Sequence, residues 1–559
     1  MGFYVGIDLG TTNSTVSVIQ TKNNYDSPLE GLTTCPIYQY GERVGDLITD
    51  ECLPSALYFD IDNHRVYTGR FAKVTYASGS RPLQTALSIK TRMGGDSRLE
   101  IPSLSGSGVE YFGMKECASF FIRTIVDSLQ KDFPQISNLT DECVVTVPAA
   151  FNDDERAATQ NAVLLGGFKK CHILDEPTAA LLSYINSETY DDDEDQDTIY
   201  KLVYDIGGGT LDVSIAKLTR DNYGGYTVDI VGLSDRMNLC GDNFDRLLAA
   251  YFLKEFEATN DPIETRTFED QGRIIARIVS NAEHYKIALN KKILDCADNQ
   301  RRLQRVKENV MFELIDDMYV EGIVLKKETL DELFLRYTSP RETKIGLLAP
   351  IKTALRRSKL QKDDISEVIL TGGMSNFYAV HETLSQFFGD VPINYVEDTR
   401  TAVSRGAALY HWGLNEDNDA EDVRKISSIS NKLASNYYVR NAKGEFEILI
   451  REDLKQKEGI FYYTILDEDV SYFPFYLYSG TEPDGDEDNT DTYKQLAGRP
   501  IPYKPEYKKG DRIPIKWSLD ENKVVNVEIQ GSSNLQLSGL LSSEEVEKSI
   551  VKKYQVNRS

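Results

Sequence analysis

Residues 8–13 run Asp8-Leu9-Gly10-Thr11-Thr12-Asn13, and residues 205–212 run Asp205-Ile206-Gly207-Gly208-Gly209-Thr210-Leu211-Asp212. Each turn sits between two apolar runs, FYVGID (3–8) and STVSVIQ (14–20) around the first, KLVYDI (201–206) and LDVSIAK (211–217) around the second. An apolar run, an aspartate, a Gly/Thr turn and a second apolar run predict a β-hairpin. The scheme occurring twice predicts a duplicated architecture in which each half offers one hairpin to a shared cleft.

Outward from these turns, 113–131 and 153–167 carry helical apolar spacing, and ECVVTVP (142–148) reads as a short buried strand stopped by proline. A third strand and turn, EVILTGGMS (367–375), follows helical stretches at 240–290 and 328–358, and 400–412 reads as a closing helix. Alternating strands and helices make this part α/β. The expected organisation is an α/β domain over 1–413, an acidic linker over 414–429 containing NEDNDAED (415–422), a β-rich domain over 430–540, and a short helix over 541–559 with no helical lid. The β-rich part is predicted from the aromatic and alternating runs NYYVR, FEILI, GIFYYTIL, YFPFYLY, RIPIKW and VVNVEI, a β-sandwich-like pattern. Arg301–Val310 reads as helical and charged, Gly480–Lys509 as an acidic, proline-bearing insertion, Leu541–Ile550 as a capped helix, and 191–197 and 484–491 as solvated loops.

Bulk chemistry limits the partners. With 559 residues the chain is too long for one core. Its 88 acidic against 63 basic residues, a net charge of -25, repel nucleic acid and anionic membranes. Neither is an expected partner. Cys35, Cys52, Cys117, Cys143, Cys171, Cys240 and Cys296 are scattered without a C-x-x-C pair, which argues for reduced cytoplasm over a disulfide framework or zinc site. The amino-terminal stretch carries neither a signal-peptide nor a membrane-span pattern.

A phosphate ligand must then be held locally. Glycine turns present successive N–H groups on one side, and the missing Cβ lets phosphate oxygens approach. Asp8 and Asp205, at the strand ends, are placed to hold waters around Mg²⁺, an ion that keeps most of its hydration shell. Thr11, Thr12 and Thr210 offer hydroxyls to phosphate.

Together these segments resemble the phosphate and adenosine motifs of the actin, sugar-kinase and heat-shock ATPase superfamily. The runs VTVPAAFND (145–153), LDEPTAA (174–180), SIKTRMG (88–94), LPSALYF (53–59) and AVSRGAA (402–408) narrow the resemblance to the 70-kilodalton heat-shock (DnaK-like) chaperones over residues 3–412. The resemblance implies a two-lobed actin-like ATPase with duplicated ribonuclease-H-like lobes, using ATP/ADP and Mg²⁺. It places Lys90 beside the γ-phosphate and attacking water, and Glu176, Asp205 and Asp8 around the Mg²⁺ hydration shell, with Thr210 and Thr11 on the γ-phosphate. Gly10, Thr12, Asn13, Gly207, Gly208, Gly209 and Asp212 complete the phosphate side. Pro148 and Arg156 match positions that relay nucleotide state, against an ordinary reading as a strand-ending proline and an exposed helix arginine. Glu283, Lys286, Asn290, Gly372, Gly373, Met374 and Asn376 match the adenosine side.

There the pattern departs from the family. Ile287 and Asn376 stand where it carries arginine, and Asn290 where it carries serine, so purine affinity is expected to drop by roughly 1–3 kcal/mol, taking about 0.5–1 kcal/mol or more per lost cation–π contact. The leucine-rich linker is missing, which puts inter-domain coupling and recruitment of J-domain or nucleotide-exchange partners in question. The expectation is a slow chaperone-like ATPase whose lobe closure alters how the β-rich part meets an unfolded or specific protein client. The alternatives are a non-hydrolysing nucleotide sensor or scaffold, a small-molecule kinase, or a filament former of the same fold.

Overall fold

The computed structural model describes residues 2–557 apart from 22–26, 188–197, 221–225, 235–236, 238, 316–317, 339–345, 416–422, 424–425, 431–432, 434–435, 442, 452–455, 466–471, 481–492, 503–507, 530–534 and 537–539. The acidic runs 191–197 and 484–491, and most of the acidic linker, lie outside the described residues.

Both hairpins form, and they form alike. Gly2–Leu9 pairs antiparallel with Asn13–Thr21, putting Asp8 opposite Thr15. Thr198–Ile206 pairs with Leu211–Arg220, putting Asp205 opposite Asp212. On its other side each first strand takes a parallel neighbour: Glu142–Val147 sets Thr146 against Asp8, and Glu367–Thr371 sets Thr371 against Asp205. Strands covered on both faces read as near-continuous apolar runs, which is why these segments were legible. In the first sheet the order runs Lys170–Asp175, Glu142–Val147, Gly2–Leu9, Asn13–Thr21, Leu32–Thr34. The second runs Ile393–Tyr395, Glu367–Thr371, Thr198–Ile206, Leu211–Arg220, Tyr226–Leu233, Ile426–Ser430. The last of these strands begins inside the stretch expected as linker and lies parallel to Tyr226–Leu233.

Between the sheets lie the helices Glu176–Ile185 and Ala402–Gly413, in a cluster that joins Ile19 and Val144 of the first sheet to Val203, Ala216 and Ile369 of the second through Ala180, Leu181, Ala407 and Ala408. Contact there is close enough that a Cβ on Gly406 would come within 1.8 Å of the Ala179 carbonyl oxygen. His411 accepts the Val5 N–H through Nδ1 at 2.8 Å, and burial pushes its pKa down to about 4, so it is a neutral packing residue. Each half also has its own core, one built around Phe59, Phe120 and Ile125, the other around Phe244, Phe252 and Leu370.

Helices occupy Met114–Asp132, Asp153–Gly166, Gly241–Glu257, Phe268–Leu294, Lys327–Thr338 and Ala349–Ser358, close to the expected spans. Arg301–Val310 is a correction. Only Gln300–Leu303 is helical, and Lys307–Glu313 is a strand paired with Tyr319–Lys326, because Val310 and its alternating neighbours bury one face. Gly480–Lys509 is another. It contains the strand Tyr493–Pro502, at the edge of its sheet, where proline's missing donor costs no ladder bond.

After residue 430 two four-stranded sheets face each other. Phe446–Ile450, Asn436–Arg440, Tyr472–Gly480 and Tyr493–Pro502 form one, and Glu458–Thr464, Arg512–Leu519, Val525–Ile529 and Leu535–Gln536 the other. Tyr437, Val439, Phe475 and Leu477 meet Phe461, Ile515, Trp517 and Val527 in their common core. The chain then returns to the first α/β half. Ser543–Lys548 is a helix with the capping box Ser542/Glu545, shorter than the Leu541–Ile550 expected, and Gln555–Val556 adds a parallel strand to Arg65–Thr68.

Candidate functional site

The two glycine turns face each other. A Cβ on Gly208 would fall 1.9 Å from Thr12 Oγ1, and one on Gly209 would fall 2.4 Å from Thr11 Cγ2. Only glycine lets the second hairpin approach the first this closely. The turns open onto a cleft of about 460 Å³ lined by Asp8, Gly10, Thr11, Thr12, Asn13, Lys90, Pro148, Glu176, Asp205, Gly207, Gly208, Gly209 and Thr210, with Glu283, Lys286, Asn290, Gly372, Gly373, Met374 and Asn376 further along. Of the residues expected at the site, Asp212 and Arg156 do not line the cleft. Asp212 lies on the strand behind, in register with Asp205.

Acid groups crowd the floor. Removal from water pushes the Asp8 carboxyl up to about 6, an effect that nearby Lys90 opposes and Glu176 reinforces, while Thr146 donates a hydrogen bond to it at 3.2 Å. Burial, joined by repulsion from Glu176, Asp212 and Asp8, holds Asp205 well above the usual carboxylate range. Lys90 is not a helix-surface lysine. It is 5% exposed in the short helix Ile89–Arg92 and its Nζ donates to Glu176 Oε1. Thr12 Oγ1 and Thr371 Oγ1 are buried and make no hydrogen bond. Hydroxyls and glycine N–H groups on one side and mutually repelling carboxylates on the other suit a phosphate group accompanied by a hydrated divalent cation. Among the described residues no group of three or more His, Cys, Asp or Glu is arranged to ligate a metal directly.

At the far end of the cleft Lys286 pairs with Asp245 at 2.8 Å. Asn290 donates to the Asn376 carbonyl at 2.9 Å and accepts the Tyr378 N–H at 3.0 Å, while Asn376 donates to Thr399 Oγ1 at 2.8 Å. The Asn290 amide therefore ties the long helix to the loop after Gly373, and the Asn376 amide ties that loop to Thr399. Ile287 lines the cleft with 57% of its surface exposed. Contacts that cross between the halves beside the cleft include Lys73 Nζ to Glu283 at 2.9 Å and Ser88 Oγ to Asp242 Oδ2 at 3.2 Å.

The sequence reading missed Asp242, Asp245, Thr399, Arg400 and Ser88. A glycine and two aspartates opening a helix, GDNFD (241–245), form a signal that could have found the first two. Arg400, held by Asp398 through Nε at 3.3 Å and Nη2 at 3.1 Å, carries no such signal.

Pro148 reaches the cleft, and the next turn leads to Arg156, which is 2% exposed, so the exposed-arginine reading fails. Its guanidinium meets Asp175 at 2.6 Å, and the other Asp175 oxygen takes Lys523 of the β-rich part at 2.7 Å. Around this cluster Ile173 N–H donates to Asn522 Oδ1 at 2.9 Å and Val525 N–H donates to Asp153. Lys523 burial lowers its pKa to about 8, with Asp175 opposing and Arg156 adding to the effect. Asp175, although buried, stays below the usual carboxylate range because Arg156 and Lys523 both attract it.

Comparison with known proteins agrees with this geometry. The family described as "Hsp70 protein" matches residues 4–432, which contain every cleft residue named above. The chain belongs to the Hsp70 family. It is 28% identical to the chaperone protein dnaK of Guillardia theta over 73% of this chain and 59% of that one. Likeness to the dnaK chaperone of Cyanophora paradoxa is 29% over 73% and 60%, and to that of Thermosipho melanesiensis 26% over 73% and 58%. The match thus spans about three-fifths of the length of these relatives.

Proposed function

We propose that this Hsp70-family chain binds Mg-ATP between two actin-like lobes, hydrolyses it slowly, and uses the resulting change in lobe closure to alter how its β-rich part meets an unfolded or specific protein client. The observation that carries this is the apposition of the two turns, Gly208 against Thr12 and Gly209 against Thr11, above a floor of Asp8, Glu176 and Asp205. The lobes are the two sheets with their flanking helices, each containing the same hairpin and parallel neighbour, which supports a duplicated ribonuclease-H-like origin. The domain limits that suit this role are 1–413 and 430–540.

Asp8 and Asp205 would hold Mg²⁺ through water, and the cation would supply the charge neutralisation that their raised pKa values call for. Glycine N–H groups and the Thr11, Thr12 and Thr210 hydroxyls would position the phosphates. Lys90, held by Glu176, would orient the attacking water. Positioning and charge stabilisation supply most of the barrier reduction in phosphoryl transfer, and no protein nucleophile is required. Glu283, Lys286 and Asn290 would face the nucleoside. Pro148 and the Arg156–Asp175–Lys523 cluster form a continuous route from the cleft to the β-rich part. J-domain and nucleotide-exchange partners and a cytoplasmic setting accord with the family and with seven unpaired cysteines, five of them buried. None of the described helices is long and apolar enough to cross a membrane.

Steady-state ATPase measurements on the purified chain test this, comparing Thr210→Ala and Lys90→Ala with the unchanged protein. Both variants should lose at least tenfold in turnover while still folding. Full turnover in both would remove the proposed roles, and Mg-ATP binding without any turnover in the unchanged chain would favour a nucleotide sensor.

A further inference from the structure

Residues 550–557 lie far in sequence from the first α/β half yet bury three side chains in it: Val551 is 0%, Tyr554 2% and Val556 3% exposed. The segment adds to an edge. In the sheet Gln555–Val556, Arg65–Thr68, Ala56–Asp60, Thr85–Leu87 it is the outermost strand, and the remaining three pair without it. Backbone bonds run from Gln555 N–H to the His64 carbonyl at 2.9 Å and from Asn557 N–H to the Val66 carbonyl at 3.0 Å. Asn557 also exchanges two bonds with Thr68, donating to Oγ1 at 2.8 Å and accepting its N–H at 2.9 Å. Arg123 on the helix Met114–Asp132 donates to the carbonyls of Val551 at 2.9 Å and Tyr554 at 3.0 Å. The Tyr554 ring fills an aromatic recess, with ring centres 5.3 Å from Phe112, 5.7 Å from His64 and 6.4 Å from Phe120.

Backbone pairing to a sheet edge, an arginine reading two carbonyls and one aromatic anchor in a pocket are the parts of a strand-addition peptide site. We propose that this groove on the first α/β half is a peptide-binding site whose ligand is the chain's own 550–557 segment, and that its occupancy straps the β-rich part to that half. Charge does not set the affinity. Arg123 faces two carbonyls and no carboxylate of the segment, and the side chains the segment buries, Val551, Tyr554 and Val556, are uncharged. One feature of the fit is imperfect: Tyr554 Oη is buried without a hydrogen bond, so the phenol is held for its ring and not its hydroxyl.

The test severs the covalent connection without removing the segment. A site-specific protease sequence is inserted between Ser538 and Gly539 of the full chain, the protein is cleaved, and size-exclusion chromatography at micromolar concentration shows whether residues 539–559 stay with the rest. Retention is expected. Tyr554→Ala should weaken it about a hundredfold, the scale of emptying an aromatic core site, whereas Tyr554→Phe should hold as tightly as tyrosine or more so. A second arm adds a labelled synthetic peptide of residues 548–559 to the chain truncated after Leu540 and reads fluorescence anisotropy. Saturable binding lost on Arg123→Met would support the proposal. A cleaved segment that separates freely from the unchanged protein, or a Tyr554→Ala segment that is retained equally well, would overturn it.

Discussion

Lys523→Met alters one of three buried charges that join the β-rich part to the first α/β half. Asp175 serves two cations, Arg156 at 2.6 Å and Lys523 at 2.7 Å. Arg156 and Lys523 also repel each other. Lys523 has its pKa lowered from 10.5 to about 8 by burial and Arg156 repulsion, against the attraction of Asp175, equivalent to about 3 kcal/mol against its charged form at neutral pH. Methionine keeps the length of the stem and carries no charge, so Lys523→Met should leave stability unchanged or raise it by up to about 3 kcal/mol at pH 7, as replacing buried charges by apolar groups often does. Asp175→Asn should behave oppositely, losing about 3–5 kcal/mol because two buried cations are left facing a neutral amide. The sign with pH follows from proton counts. Between pH 8 and 10.5 the unfolded chain holds the lysine proton and the folded chain does not, so the unchanged protein gains stability with rising pH and its deficit against Lys523→Met closes. The assay is urea unfolding followed at Trp517, in the β-rich core, with Trp412 replaced by Phe in every variant so that a single indole reports. A loss above about 2 kcal/mol in Lys523→Met at pH 7, or a difference from the unchanged protein that does not shrink above pH 8, would refute the reasoning.

The Asp8 carboxyl, raised to about 6 from 3.8, binds a proton in the nucleotide-free folded state that the unfolded chain has already lost, so stability falls as pH rises through that window, by about 3 kcal/mol in full and by about half of that between pH 5 and 7.5. Asp8→Asn should remove this slope, which unfolding midpoints at pH 5, 6 and 7.5 will show; parallel profiles for both proteins would contradict it. Asn376→Arg should tighten ADP binding about two- to fivefold, the yield of about 0.5–1 kcal/mol from one cation–π contact, with little change in pyrophosphate binding. Calorimetric titration of both ligands checks this, and an equal gain for pyrophosphate would assign the effect to charge alone.

What the sequence made legible was local. An aspartate, a glycine turn and flanking apolar runs specify a hairpin within about fifteen residues, so both turns, their order and the residues around them could be named before any coordinates. The strands that escaped were those lacking a local signature. Lys307–Glu313 carries three charges in seven residues and buries only Val310 fully, Tyr493–Pro502 carries two prolines tolerated at an edge, and Gln555–Val556 is too short to show any period. At the site the legible residues are those on the turns, while Ser88, Arg400 and the Arg156–Asp175–Lys523 cluster depend on pairings between distant segments. Lys523 lies 348 positions from Asp175, and nothing near it in sequence marks it as buried. Asn290 and Asn376 line the cleft, but the Asn290 amide is engaged in tying the long helix to the loop after Gly373 and the Asn376 amide in bonding Thr399.

Three attachments of the β-rich part among the described residues differ in strength, and the difference bears on which gives first under strain. Ile426–Ser430 is bound by backbone pairing along the second sheet, from Tyr226 to Asp229, and such ladder bonds must be lost together. Segment 550–557 is anchored by an aromatic ring in a packed recess, whose loss carries the cost of a core cavity. The charged cluster has the least to lose, since separating Lys523 from Asp175 returns to water a cation that burial disfavours and leaves Asp175 paired with Arg156. Relative movement of the two α/β halves is therefore expected to open the Lys523 contact, together with the Ile173–Asn522 and Asp153–Val525 bonds beside it, before either strand peels. Arg156, buried between the cleft wall at Pro148 and that contact, stays with the carboxylate as it does so.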